Sequence, residues 1–243
     1  MTSLLAALGL LTRIPVPSVG YVPTRRMLLW FVPCGLVIGG LSGAVYLAVA
    51  GLHLHWLAAV CGVVALLALS GGLHMDGLMD TADALGSNAP RDRALEIMRD
   101  SRVGAFGAMA LVCTLLLKAA ALVGLPRDQG FLALLTAPAA ARLVQIAVCL
   151  RGRYARTEPG MGAAFLAEAR PIHVAIGVVW LVPVALSAST AVAAAIGAIA
   201  ALLVAWRIGR RLGGHTGDTL GAVSELTEVF MLVAYAALTA CRG

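Results

Sequence analysis

Between Ile172 and Trp206 the chain runs for 35 residues without one aspartate, glutamate, lysine or arginine. A helix of about 20 residues already crosses a hydrocarbon core about 30 Å thick, so such a run restricts the chain to very few environments. Similar runs recur along the sequence. Of its 243 residues 60% are hydrophobic and 12% charged, against about 25% charged in soluble proteins. The chain therefore reads as an all-α, polytopic membrane helix bundle, one integral membrane domain over residues 1–243 with no internal repeat or low-complexity tail.

Hydropathy places about seven transmembrane helices, at about 27–50, 55–73, 104–125, 130–150, 172–187, 189–206 and 220–240. The long run is divided at Ser187, Ser189 and Thr190, which offer a turn, although one kinked helix would also fit. Met1 to Leu11 is apolar but too short to span. With Arg13 and the following Pro-Val-Pro it reads as an N-terminal interfacial or re-entrant segment. No short apolar leader with a cleavage site opens the chain, so Met1 is taken as the mature start.

Fourteen arginines, from Arg13 to Arg211, fall in loops that this count puts on one side. Only Arg127 and Arg242 fall on the other. By the positive-inside rule the N-terminus and the polar loops face the cytoplasm. The net charge of +6 thus reports topology and gives no reason to expect nucleic acid as a partner. Five cysteines stand singly in apolar runs, which leaves a disulfide framework or a zinc motif almost without support.

Six of the twelve acidic residues crowd into Gly71–Gly107, GGLHMDGLMDTADALGSNAPRDRALEIMRDSRVGAFG. On a helix Asp76, Asp80 and Asp83, spaced i, i+4, i+7, share one face. Three like charges on one stripe repel, and a hard divalent cation shared with substrate phosphates relieves them, so Mg²⁺ is the expected cofactor. The plain alternative is a solvated acidic loop neutralised by Arg91, Arg93, Arg99 and Arg102. A second cluster, Asp218, Glu225 and Glu228, opens the last span, where membrane carboxylates are expected to face the bundle interior. Lys118 and Arg142, each inside an apolar span, need partners: these acids, or an anionic substrate. His74 and His215 stand beside the two clusters as candidate bases or phosphate contacts, or as hydrogen-bonded bystanders.

TRIPVP, GGLHMDGLMDTADALGS, RALEIMRDSRVGAFG, RYARTEPGMG and GGHTGDTLGAVSELTE, in this order, closely resemble the motifs of the cobalamin synthase family, the adenosylcobinamide-GDP ribazoletransferases. Ala84, where the family usually carries glycine, and Pro159 depart from its pattern. The resemblance implies a Mg²⁺-dependent transferase of cobalamin biosynthesis in the inner membrane of a bacterial or archaeal cell, its active site facing the cytoplasm. It would join adenosylcobinamide-GDP to α-ribazole or its 5′-phosphate, giving adenosylcobalamin or its 5′-phosphate and GMP. It also leaves room for a homo-oligomer or a complex with other cobamide-assembly enzymes. The residues assigned on this reading are Asp76, Asp80, Asp83 and Asp218 for metal, and His74, Asp83, His215 and Glu225 for catalysis. Arg13, Arg99, Asp100, Arg102, Lys118, Arg142, Arg153 and Thr216 are assigned to substrate. A CDP-alcohol-phosphotransferase-like enzyme is the first alternative, but DGLMDTAD lacks the Ala-Arg expected of that family. A secondary transporter is the second, against the absence of a repeat and the polar motifs gathered on one face.

Overall fold

The computed structural model describes residues 1–158, 160–184 and 187–241. Pro159 and Arg242, both used above, lie outside them. Among the described residues there are twelve helices and no strand: α1 (Thr2–Leu11), α2 (Thr24–Leu28), α3 (Phe31–Ala50), α4 (His55–Ser70), α5 (Leu73–Gly86), α6 (Arg91–Ile97), α7 (Ala105–Val123), α8 (Arg127–Arg151), α9 (Met161–Glu168), α10 (Pro171–Leu181), α11 (Ala188–Leu212) and α12 (Gly217–Ala240). Five of them, α3, α7, α8, α11 and α12, are long and apolar enough to cross a membrane. The bent pairs α4–α5 (92°) and α9–α10 (93°) raise the number to seven if each counts as one span. That agrees with the seven expected.

The apolar run from Ile172 divides as its turn residues suggested. Ser187 caps α11 by accepting from the Thr190 backbone N–H at 3.1 Å, the role in which serine relieves an unpaired helix N-terminus. Its first half, α10, has 11 residues and is about 16 Å long, short of a hydrocarbon core. The N-terminal segment is the ten-residue helix α1, whose Ala7 and Leu11 pack in one core cluster with Leu28 and Phe31.

α8 and α12 are the central helices, 72% and 67% buried over their apolar windows, whereas α7 and α11 are only 33% and 28% buried and present apolar flanks to the surroundings. Small residues let the centre close up. Gly35, Gly39 and Gly43 repeat every fourth residue on α3 and meet α8. A Cβ at Gly35 would lie 2.7 Å from the Ala139 Cα. In lipid no hydrophobic force joins helices, so such close approach and the dispersion it brings supply the association.

The polar segments meet at one end of the bundle. Arg91 at the start of α6 donates to the carbonyls of Leu212 (2.8 Å) and Ala155 (2.6 Å), tying three distant stretches together. Arg99 pairs with Glu158 at 2.9 Å. Tyr154 and His215 form an isolated parallel bridge. Ala84 packs there with Ala94, Leu95 and Met98.

Candidate active site

Two glycines set the position of the acidic stripe. Gly71 and Gly72 close α4 with φ of 63° and 72°, a left-handed conformation that residues with a Cβ seldom adopt. The chain turns there, and α5 runs across the end of α12. Contact is backbone to backbone. A Cβ at Gly77 would sit 2.6 Å from the Asp218 carbonyl oxygen, and one at Gly221 3.2 Å from the His74 Cα. The crossing therefore brings the second motif's Asp218 against the face of α5 that carries Asp76 and Asp80.

α5 carries three aspartates and is the polar arm of its bent pair, set at 92° to α4 and outside the five helices that are each long and apolar enough to cross a membrane. Burial, then the charges of Asp76, Asp218 and Asp83, push the Asp80 carboxyl up to about 7, with Arg156 acting in the opposite sense. These four carboxylates thus form one electrostatic unit short of positive charge. Asp218 accepts from Arg156 Nη2 at 3.0 Å and from Thr216 Oγ1 at 3.2 Å. Thr216 also caps α12 by accepting from the Thr219 backbone N–H. Asp218 lies in the first turn of that helix, where unpaired N–H groups favour a negative charge. Asp83 differs from its neighbours. Both of its oxygens accept backbone N–H bonds from the start of α7, Gly104 and Gly107, each at 2.8 Å, so it fastens α5 to α7.

Two hollows adjoin these acids. One, of about 140 Å³, lies between α5, α8, α9 and α12 and is lined by His74, Asp76, Gln145 and Asp218 together with apolar walls that include Phe31 and Phe165. The other, an open cleft of about 730 Å³, is lined by Arg13, Gly71, Gly72, Asp76 and Met161. Asp76 belongs to both. The donor set is oxygen-only and anionic, which suits a hard cation such as Mg²⁺. Among the described residues no three carboxylate or imidazole groups already converge closely enough to hold an ion, so phosphate oxygens of a substrate would have to complete its shell.

Deeper in the bundle lies a buried, charge-balanced quartet. Lys118 Nζ donates to Oε2 of Glu225 and of Glu228, each at 2.6 Å. Arg142 donates to Ser224 Oγ and, at 3.2 Å, to His74 Nδ1. Glu225 stands seven residues beyond Asp218, about 10 Å along α12. The second acidic motif is therefore divided by depth: Asp218 joins the α5 aspartates, and Glu225 and Glu228 neutralise Lys118.

Of the residues singled out from the sequence, His74, Asp76, Asp218 and Arg13 line the two hollows, and Asp80 and Thr216 stand close to Asp218. Lys118, Glu225 and Arg142 lie beneath them in the quartet, and Arg142 reaches the site through His74. Asp100 and Arg102 pair with each other at 2.6 Å on the surface. That bond holds the Asp100 carboxyl at about 2. Arg99 is held by Glu158. His215 and Arg153 line a different groove. His215 donates its backbone N–H to the Arg153 carbonyl at 2.7 Å, and its ring lies beside Gly209 and Gly152.

Two residues at the site were not foreseen. Arg156 was indistinguishable in sequence from the other loop arginines, and only the fold brings it to Asp218. Gln145 donates to the Leu220 carbonyl at 2.9 Å and keeps its buried Oε1 without a partner at the cavity wall. A glutamine in an apolar span was the available signal.

The sequence model of the cobalamin-5-phosphate synthase family matches residues 3–236. Curated relatives named adenosylcobinamide-GDP ribazoletransferase include one from Chlorobaculum tepidum, 38% identical over 96% of this chain and 95% of its own. Another, from Klebsiella pneumoniae, is 39% identical over 96% and 98%, and one from Clostridium acetobutylicum is 33% identical over 99% and 98%. No solved structure matches the chain significantly. A match of this extent, with the family's acidic motifs meeting at one helix crossing, shows that the chain belongs to the cobalamin-5-phosphate synthase family.

Proposed function

We propose that the chain is an adenosylcobinamide-GDP ribazoletransferase that works with Mg²⁺. The observation that carries this is the α5–α12 crossing, which joins Asp76 and Asp80 to Asp218 beside a cleft that contains Arg13. A hydroxyl of α-ribazole or its 5′-phosphate attacks the cobinamide-side phosphorus of adenosylcobinamide-GDP. One P–O bond forms as the bridging P–O bond breaks, GMP departs with the bridging oxygen, and the hydroxyl proton is released.

Asp76, Asp80 and Asp218 would hold the metal. When bound, Mg²⁺ supplies positive charge to the diphosphate as the leaving group becomes more negative. Arg13, with a permanently charged and fork-shaped guanidinium, binds phosphate oxygens in the cleft. Arg156 fixes the Asp218 carboxylate. His74, accepting from Arg142 at Nδ1, carries its proton on Nε2 and offers it as a hydrogen-bond donor to a phosphate oxygen. The arginine asymmetry supports an orientation in which this end of the bundle faces the cytoplasm across the inner membrane.

The test uses the purified chain in lipid nanodiscs with adenosylcobinamide-GDP and α-ribazole. GMP and the joined product should appear together, in equal amounts and only with Mg²⁺. GMP without joined product, or turnover undiminished by a chelator, overturns the reading.

A further inference from the structure

A groove of about 470 Å³ runs along the outside of the bundle between the ends of α8 and α11, lined by Arg151, Arg153, Arg210, Trp206, Val148 and Leu202. No carboxylate lines it. Its three arginines are exposed, and among the described residues none has an ion pair. Others at this end of the bundle are engaged: Arg93 with Glu96, Arg99 with Glu158, Arg102 with Asp100, Arg156 with Asp218, and Arg211 with the Ala89 carbonyl. Three free guanidiniums about one acid-free groove make a site for a phosphate-type anion.

The groove also has an axis. Leu202, Trp206 and Arg210 stand at i, i+4 and i+8 on α11 and form one stripe about 12 Å long. Along it the chemistry passes from apolar, through an indole 55% exposed, to cationic, with the Arg210 guanidinium 5.0 Å from the Trp206 ring centroid. α8 and α11 are both spanning helices that end here, so this stripe crosses the zone where lipid headgroups lie and where tryptophan is favoured. A free phosphate or nucleotide has no use for an apolar extension that continues down the span. A lipid has.

We propose that this groove binds the headgroup and upper acyl chain of an acidic phospholipid, phosphatidylglycerol being the probe of choice. The phosphate sits among Arg151, Arg153 and Arg210, and the chain lies along Trp206, Val148 and Leu202. The proposal is independent of the catalytic assignment, and it gives Arg153 a lipid phosphate in place of the substrate phosphate suggested by its sequence context.

Nanodiscs of equal phosphatidylglycerol and phosphatidylcholine are loaded with the full chain, extracted gently, and the retained lipid identified by native mass spectrometry. The wild type should keep phosphatidylglycerol over phosphatidylcholine by up to about 100-fold, the order expected when three arginines act on one anionic headgroup. Arg151→Gln/Arg153→Gln/Arg210→Gln should abolish that preference, and Trp206→Ala should weaken it. A control triple, Arg25→Gln/Arg26→Gln/Arg93→Gln, removes the same charge elsewhere and should keep it. Equal loss in the two triples would reduce the effect to general charge and overturn the site. Displacement of the lipid by millimolar inorganic phosphate or GMP would overturn the lipid assignment in favour of a soluble phosphate ligand.

Discussion

Arg142 donates from Nη2 to Nδ1 of His74 across 3.2 Å, from α8 to α5. A guanidinium has no acceptor, so this bond requires a lone pair on Nδ1 and leaves the ring proton on Nε2. His74 is thereby prepared to donate at the cavity wall and unable to act as a base through either nitrogen while the bond lasts.

Glutamine places an N–H close to where Nε2–H lies and has no basic nitrogen. His74→Gln should therefore keep kcat/KM for GMP release within about tenfold of wild type. His74→Ala, which removes the donor, should lose on the order of 10²–10³, as when one preorganised donor to an oxyanion is deleted. If glutamine is as damaging as alanine, the donor assignment is wrong and a base is required.

The quartet predicts a reversal of the usual order of damage. Lys118→Met leaves Glu225 and Glu228 buried against a single cation, Arg142, and should destabilise the protein by about 3–5 kcal/mol, the range for breaking a buried pair. Lys118→Met/Glu225→Gln restores charge balance and should be more stable than Lys118→Met alone. Unfolding temperatures in one detergent compare them. A double variant less stable than the single one would show that Glu225 has a role apart from neutralising Lys118.

What the sequence disclosed and what it concealed divide along physical lines. Spans, their approximate ends and the break near Ser187 follow from length and local turn chemistry, so they could be read without partners. The stripe of Asp76 and Asp80 follows from helical period, and its meeting with Asp218 was implied by assigning all three to one metal. Depth was not legible. Asp218 and Glu225 lie on nearly one face of α12, and only the position of Lys118 on α7 separates them. Asp83 was equally opaque, because its partners are backbone N–H groups of Gly104 and Gly107, which leave no side-chain signature. Arg156 and Arg153 look alike as loop arginines, yet the fold turns one to Asp218 and the other to an acid-free groove.

The charge deficit at Asp80 sets a pH dependence. Its folded pKa, about 7 against an ordinary 3.8, is raised. The native state therefore holds a proton there that the unfolded chain gives up above about pH 4, and this stabilisation is lost as pH rises from about 4 through 7. In a chelator, wild type should melt at lower temperature at pH 8 than at pH 5.5 by a larger margin than Asp80→Asn, which has no carboxylate to ionise. Added Mg²⁺ should recover the wild type at pH 8 and leave Asp80→Asn little changed. Identical pH profiles for the two proteins would remove the repulsion at Asp80 from the account.

The crossing itself can be tested apart from any carboxylate. At Gly77 a methyl group would fall 2.6 Å from the Asp218 carbonyl oxygen and 2.9 Å from its Cα, both backbone atoms that cannot swing aside. Gly77→Ala must lift α5 from the start of α12 and so draw Asp76 and Asp80 away from Asp218. Gly197→Ala provides the comparison. Its methyl would meet Met231 at 2.9 Å in the α11–α12 seam, a clash of similar severity far from the aspartates. Both should destabilise by about 1–3 kcal/mol, the range for overpacking. Only Gly77→Ala should raise the Mg²⁺ concentration needed for half-maximal GMP release and lower kcat at saturation, because only it alters the spacing of the proposed metal-binding oxygens. If the two variants lose stability alike and show the same Mg²⁺ dependence as wild type, then Asp218 does not act together with the α5 aspartates.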